Sequence, residues 1–178
     1  MPVEKNGGGD EAIFREVQRF GPGWVWMIVA PIAALSWFVA VYQVLLGRPF
    51  GDRPAPDALV VIIWLLFGLG LPILIYSIRL GVEVGVDGVY YRFFPFHRRL
   101  HAIPYGEIES CEARSYRPIR EYGGWGIRWG RRGRAYNIKG DRGVQLLLTS
   151  GEGLLLGSQR ADELAAAINR ARSRSGSA

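Results

Sequence analysis

Two stretches of this chain carry no charge, and each is long enough to cross a lipid bilayer. Trp24 to Leu46 holds 23 residues whose only ionisable group is the Tyr42 phenol, and Ala58 to Ile78 holds 21 more, rich in Val, Ile and Leu. About 20 apolar residues span the hydrocarbon core as a helix. Burying two such helices on every face would need more covering structure than a chain of 178 residues has left over. The expectation is a transmembrane hairpin over residues 24–78, preceded at 1–23 by a disordered tail and a short amphipathic helix.

The flanks agree with spans rather than a cleaved signal. A polar segment precedes the first run, and no small-x-small cleavage pattern follows it. Trp24, Trp26 and Tyr76 stand where interfacial aromatic belts stand. The connector Gly47 to Asp57 is short and rich in Pro and Gly, so the spans run antiparallel. It offers Arg48 and Arg53, against Arg15, Arg19, Arg79, Arg92, Arg98 and Arg99 on the other side. The excess of Arg places both termini in the cytoplasm and the chain in the inner (cytoplasmic) membrane. Pro31 and Pro72 interrupt the helical hydrogen bonding, and Ala30, Ala33, Ala34, Gly68 and Gly70 allow close helix approach. Only Ser36, Tyr42, Gln43 and Ser77 are polar within the spans. Transport pathways need more than that at mid-membrane, so the hairpin reads as an anchor.

Before the hairpin, residues 1–10 read as disordered. Ile13, Phe14, Val17 and Phe20 then recur at helical spacing until Gly21-Pro22-Gly23. That segment is expected to be an amphipathic helix, docked on the cytoplasmic domain or lying in the membrane interface.

From Gly81 the apolar period changes to two. Val82, Val84 and Val86, then Asp87-Gly88, then Val89, Tyr91 and Phe93 form a hairpin pattern. A turn at Asp87-Gly88 pairs Val86 with Val89, Val84 with Tyr91 and Val82 with Phe93, and sets Glu83 opposite Arg92. Further strands are expected at 98–103, 108–115, 124–129, 134–138, 144–149 and 153–156. Ser158 offers a cap oxygen for a last helix whose apolar stripe is Leu164, Ala167, Ile168 and Ala171. The fold class is therefore α+β: a transmembrane hairpin, then an antiparallel β-barrel or sandwich over 79–172 capped by one C-terminal helix, then a flexible tail at 173–178.

The strand–Asp-Gly–strand unit, Ile103-Pro104-Tyr105-Gly106-Glu107-Ile108 and Gly124-Trp125-Gly126-Ile127 resemble the bacterial pleckstrin-homology-like (PH-like) domain. The whole chain also resembles a family of uncharacterised prokaryotic two-pass membrane proteins. That resemblance rests on Phe14-Arg15-Glu16-Val17-Gln18-Arg19-Phe20, on the apolar hairpin, on Gly124-Trp125-Gly126-Ile127-Arg128 and on Leu156-Gly157-Ser158-Gln159-Arg160. It implies a PH-like fold but no activity. The bare Asp87-Gly88 turn lacks the basic residues with which eukaryotic PH domains grip inositol phosphates.

Charge has an address. Through residue 78 the acidic residues outnumber the basic by one, so the net +6 of the chain leaves +7 on the last hundred residues. Between Arg114 and Lys139 lie eight basic residues, opposed only by Glu121 and interleaved with aromatic side chains. The candidate anion- or partner-binding residues are Arg117, Arg120, Arg128, Arg131, Arg132, Arg134, Trp125 and Trp129. Guanidinium groups beside aromatic rings suit phosphates and carboxylates, and the nearest polyanion to a tethered domain is the inner leaflet. With 20 Arg and 2 Lys in the chain, a solvated basic face is the plainer reading of the same residues.

The remaining motifs are weak. Gly123-Gly124-x-Gly126 lacks the Lys-Ser/Thr of a nucleotide loop and suits a bulge or tight turn. His97 and His101 have no suitably spaced carboxylate, Cys111 reads as a small packed hydrophobe, and Ser110 and Ser158 lack His–acid partners. The sequence therefore points to no catalytic residues, no metal and no cofactor. The expected function is a membrane-anchored, non-enzymatic binding or scaffolding module contacting anionic lipid headgroups, a protein partner or a second copy of itself, with nucleic acid the weaker candidate. The alternative is an accessory subunit of a larger membrane enzyme or transport complex.

Overall fold

The computed structural model describes residues 12–130 and 132–175. The chain divides into two compact units: Phe20–Ile78, and a β-rich unit comprising the N-terminal segment through Arg19 and everything from Arg79. The tail expected at residues 1–10 lies outside the described residues.

In the first unit, helices α1 (Gly23–Leu45) and α2 (Asp57–Ser77) are long and apolar enough to cross a membrane, and only 11% of the most apolar window of each is covered by the chain. Pro72 has no N–H for the carbonyl of Gly68 four residues back. Helix α2 widens to π geometry over Trp64–Gly70, and the Trp37 indole N–H donates to the Gly68 carbonyl at 3.2 Å. The Trp37 and Trp64 rings meet edge to face at 5.0 Å. Gly68 makes room for them, since a Cβ there would lie 2.8 Å from the Trp64 ring. At the connector end the Gln43 amide donates to the Ala55 carbonyl at 2.6 Å and to Asp57 Oδ1 at 2.8 Å. These bonds pair polar groups within otherwise apolar helices.

The second unit holds two sheets. Strands β1 (Phe14–Arg19), β2 (Arg79–Val84), β3 (Gly88–Phe94) and β4 (His101–Pro104) form an antiparallel sheet in sequence order. Strands β5 (Ile108–Ser115), β6 (Gly126–Gly130), β7 (Gly133–Asn137), β8 (Arg142–Leu148) and β9 (Gly153–Gly157) form the other, ordered β5-β8-β9-β7-β6. Among the described residues no strand belongs to both, so the sheets do not close into a barrel. The expectation of uniformly antiparallel pairing is corrected at β7 and β9, which run parallel. A short helix, α3 (Pro118–Tyr122), interrupts the Arg-rich stretch. Helix α4 (Ala161–Ser175) runs into the segment expected to be a loose tail, whose last residues, 176–178, lie outside the described residues.

The core is formed by Leu80, Val82, Val84, Val89 and Phe93 of one sheet, Val144, Leu146 and Leu156 of the other, and Leu164 and Ile168 of α4, all buried. Each such side chain contributes about 1.5–3 kcal/mol of transfer free energy. Tyr91 and Tyr136 link the sheets with ring centroids 4.9 Å apart.

The β2–β3 turn falls one residue earlier than the Asp-Gly pattern predicts. The Gly85 N–H donates to the Gly88 carbonyl at 2.9 Å, so Val86-Asp87 make the turn, Val84 pairs with Val89 and Val82 with Tyr91. Glu83 consequently faces Tyr90 rather than Arg92. The slip leaves every residue on its expected face, so all the predicted core residues are buried except Val86, which is 59% exposed. Gly88 serves a close approach: a Cβ there would lie 2.5 Å from the Ile103 carbonyl on β4.

The helix expected over Ile13–Phe20 is instead β1, paired with β2 from Phe14↔Val84 to Arg19↔Arg79. Burial alternates, with Phe14 and Gln18 covered while Arg15, Val17 and Arg19 are exposed. The inward residues are largely polar because their partners lie at the β9–α4 junction. The Gln18 amide donates to the Gly157 carbonyl at 2.7 Å. Glu16 accepts from the Ser158 hydroxyl at 2.5 Å and from the Gln159 N–H at 2.9 Å. Ser158 Oγ in turn accepts from the Arg160 N–H at 3.0 Å, at the start of α4. A carboxylate there also meets the positive end of the helix dipole. The β unit thus begins at β1, before the apolar hairpin, and resumes at β2 after it.

Candidate anion-binding surface

Helix α3 organises the Arg-rich stretch. Pro118 starts it, where a missing N–H costs nothing, and Gly123 ends it in the left-handed region at φ 72°. Glu121 accepts from the Arg117 N–H at 2.7 Å and from the Arg114 guanidinium at 2.8 Å. The Arg117 N–H first, then Arg114, hold the Glu121 carboxyl below its usual range. The one acid of the stretch is therefore occupied by Arg114, an internal strut rather than a binding residue. Beneath the helix Tyr116, Tyr122, Ala135 and Leu155 form a buried cluster. Gly130 lets the helix sit against β6, since a Cβ there would lie 2.5 Å from the Glu121 carbonyl.

Strand alternation splits the eight candidate residues. Trp129 on β6 pairs with Arg134 on β7, whose guanidinium lies over the indole at 5.9 Å. Trp129 is 69% exposed. It borders two shallow depressions, one shared with Arg120 and Arg132 and the other with Arg132 and Arg134. Arg120, Trp129, Arg132 and Arg134 therefore come together. Arg128 points to the other face of β6 and its Nε donates to the Trp125 carbonyl at 3.1 Å. The Trp125 indole donates to the Gly140 carbonyl at 3.0 Å, which fixes the turn instead of presenting the ring to a ligand. Arg117 is exposed and contributes its backbone N–H to α3. Arg131 lies outside the described residues. Gly124 and Gly126 take φ of 126° and 115°, and the Gly126 N–H donates to Asn137 Oδ1 at 2.9 Å, a turn rather than a phosphate cradle.

His97 and His101 also approach each other, with rings 4.3 Å apart; His101 stacks on Tyr91 at 5.2 Å and His97 meets Tyr136 at 5.3 Å. Among the described residues no three His, Cys, Asp or Glu gather in a metal-binding group. Burial, and then the charge of His101, lower the His97 pKa from its ordinary 6.5. The unfolded chain accordingly binds this proton more readily than the folded one. The resulting penalty is absent above pH 6.5 and grows as the pH falls below it. Thermal denaturation from pH 7 to about pH 5 is expected to show a shallower loss of stability in His97→Gln than in the parent chain.

Sequence reasoning overlooked a second basic group. Arg15, Arg79 and Arg92 line one depression on the outer face of the β1–β4 sheet, although they come from three separate strands. In the sequence these arginines read as topology signals, as a Glu83 partner (Arg92) and as part of a family mark (Arg15), not as one group. The available clue was their shared outward parity on β1, β2 and β3.

No curated protein matches the chain. A family model does match, over residues 4–174, nearly the full length. The chain belongs to that family, described as a family of unknown function (DUF6141).

Proposed function

We propose that the protein is a two-pass, membrane-anchored, non-enzymatic binding module whose PH-like β unit faces the cytoplasm and contacts anionic lipid headgroups through Arg120, Trp129, Arg132 and Arg134. The observation that carries this reading is the exposed Trp129 indole flanked by three guanidinium groups. An amphipathic ring and several positive charges on one surface suit an anionic membrane interface. Each basic residue near such a surface contributes about 1 kcal/mol. The anchor is supported by the uncovered apolar faces of α1 and α2, since core helices of a soluble protein would be buried. Arg48 and Arg53 in the connector, against the more numerous arginines outside the hairpin, favour cytoplasmic termini. Two packed sheets with a C-terminal helix support the PH-like reading.

Hydrogen exchange of the full chain in nanodiscs tests it. Amides of α3 and the β6–β7 hairpin are expected to exchange more slowly in phosphatidylglycerol than in phosphatidylcholine discs. High salt, or Arg120→Gln with Arg132→Gln and Arg134→Gln, is expected to abolish the difference. Equal exchange in the two lipids refutes the lipid-contact reading.

A further inference from the structure

We infer a separate phosphate-binding site on the outer face of the β1–β4 sheet, built by Arg15, Arg79 and Arg92 around Gly81. Its residues share one face because the register pairs Arg15 with Glu83, Val17 with Gly81 and Arg19 with Arg79 across β1–β2, and Gly81 with Arg92 across β2–β3. At the centre Gly81 leaves open space: a Cβ added there would meet nothing within 4 Å. Gly81 is not in the left-handed region, so backbone geometry does not require a glycine at this position. A side chain there would instead fill the depression between the arginines.

The charge balance is one-sided. Glu83 is the acid on this face and lies 4.0 Å from Arg15, a partly exposed pair of little energy. Glu16 turns its carboxylate to Ser158 and Gln159 instead. Arg19 is the cross-strand partner of Arg79, which adds a further positive charge to this face. The Arg79 guanidinium rests on the Phe94 ring at 4.9 Å, which holds it on this face. Guanidinium groups lining one depression with an open floor match the several acceptor oxygens of a phosphate.

The source of the phosphate follows from the chain. Arg19 lies four residues before the start of α1 and Arg79 two residues after the end of α2. An extended residue covers at most about 3.6 Å, so the chain ties Arg19 and Arg79 within a few residues of α1 and α2, and a phospholipid headgroup is the phosphate source to test first if those helices span the bilayer. The phosphate would then belong to an anionic phospholipid. That assignment rests on the anchor proposed above, whereas the phosphate site itself does not.

Calorimetric titration of the full chain in uncharged detergent distinguishes the cases, with phosphatidylglycerol, phosphatidylcholine and inorganic phosphate as parallel titrants. Saturable binding of phosphatidylglycerol well above phosphatidylcholine is expected. Arg79→Gln with Arg92→Gln should weaken it by about tenfold or more, each tenfold being 1.4 kcal/mol. Gly81→Glu, which sets a tethered carboxylate among the arginines, should abolish binding without lowering the Tm. Arg120→Gln with Arg132→Gln should leave this site intact, which separates it from the Trp129 surface. Inorganic phosphate binding as tightly as the lipid, with the same sensitivity to substitution, supports the site and assigns it to a soluble phosphate. Binding of neither phosphatidylglycerol nor inorganic phosphate, or binding unchanged in the Arg79/Arg92 and Gly81 variants, overturns the proposal.

Discussion

Replacing Phe20–Ile78 by a two-residue Asn-Gly turn should yield a soluble, folded β unit, whereas residues 79–178 alone should not fold. Arg19 and Arg79 are direct cross-strand partners, so a tight turn can join β1 to β2 without changing their register. The fragment lacking β1 loses an entire strand ladder and the cover that Phe14 gives. It also leaves the Ser158 hydroxyl and the Gln159 N–H without their carboxylate. Of these donors the Ser158 hydroxyl is buried, and a buried donor left unpaired costs about 1–3 kcal/mol, in a domain with only about 5–15 kcal/mol in total. Dispersed amide resonances and a cooperative melt are expected for the joined chain, and a collapsed spectrum for the fragment. Equal melting of the two would show β1 to be dispensable. Glu16→Ala in the joined chain should reproduce part of the loss, about 2–4 kcal/mol, because two hydrogen bonds and a helix-terminus charge disappear together.

A large effect is also expected from one methyl group. Gly133 opens β7 at φ 99°, and a Cβ built on it would lie 1.8 Å from the Gly153 carbonyl oxygen. The obstacle is backbone, in the strand that pairs in parallel with β7, so it cannot move aside as a flexible side chain would. Gly133→Ala therefore combines left-handed strain with separation of β7 from β9, and should cost more than about 3 kcal/mol. Gly151→Ala is the matched control. Its φ of 83° carries similar strain, but nothing lies within 4 Å of the added carbon. That variant should lose only about 1–2 kcal/mol. Comparable melting temperatures for the two variants would mean that β7 and β9 are not so tightly apposed.

Several features were legible in the sequence because they depend on local periodicity. The uncharged runs predicted helices at 24–46 and 58–78, and the structure forms them at Gly23–Leu45 and Asp57–Ser77. The stripe Leu164, Ala167, Ile168 and Ala171 is the buried face of α4. The β2–β3 hairpin kept its faces despite a shifted turn, because the displacement preserved parity. β1 was missed for a different reason. Its apolar residues happen to fall at helical spacing, while its inward residues Glu16 and Gln18 are polar and meet partners about 140 positions away. The segments Phe14–Phe20 and Leu156–Arg160, which carried the family resemblance as unrelated stretches, are joined by these contacts.

The candidate site was legible as composition but not as surface. Arginines clustered in sequence are divided between two faces of β6, with Arg128 and Trp125 turned to local hydrogen bonds and Arg114 spent on Glu121. Arginines scattered over almost eighty positions, Arg15, Arg79 and Arg92, are gathered by three strands of one sheet. Spacing along the chain reported neither outcome, because sheet order decides which strands are neighbours.

The central claim, an anchored hairpin with the β unit on the cytoplasmic side, is tested most directly by cysteine accessibility. Burial pushes the pKa of Cys111, the only cysteine, up to about 12, so it should be nearly silent, and Cys111→Ser removes it altogether. In that background Asp52→Cys marks the connector and Ser150→Cys marks the β8–β9 turn, both exposed positions. Sealed right-side-out membrane vesicles would be treated with a membrane-impermeant maleimide. Asp52→Cys is expected to label at once and Ser150→Cys only after the membrane is opened. Labelling of Ser150→Cys in the sealed vesicles, or of both positions alike, would contradict it.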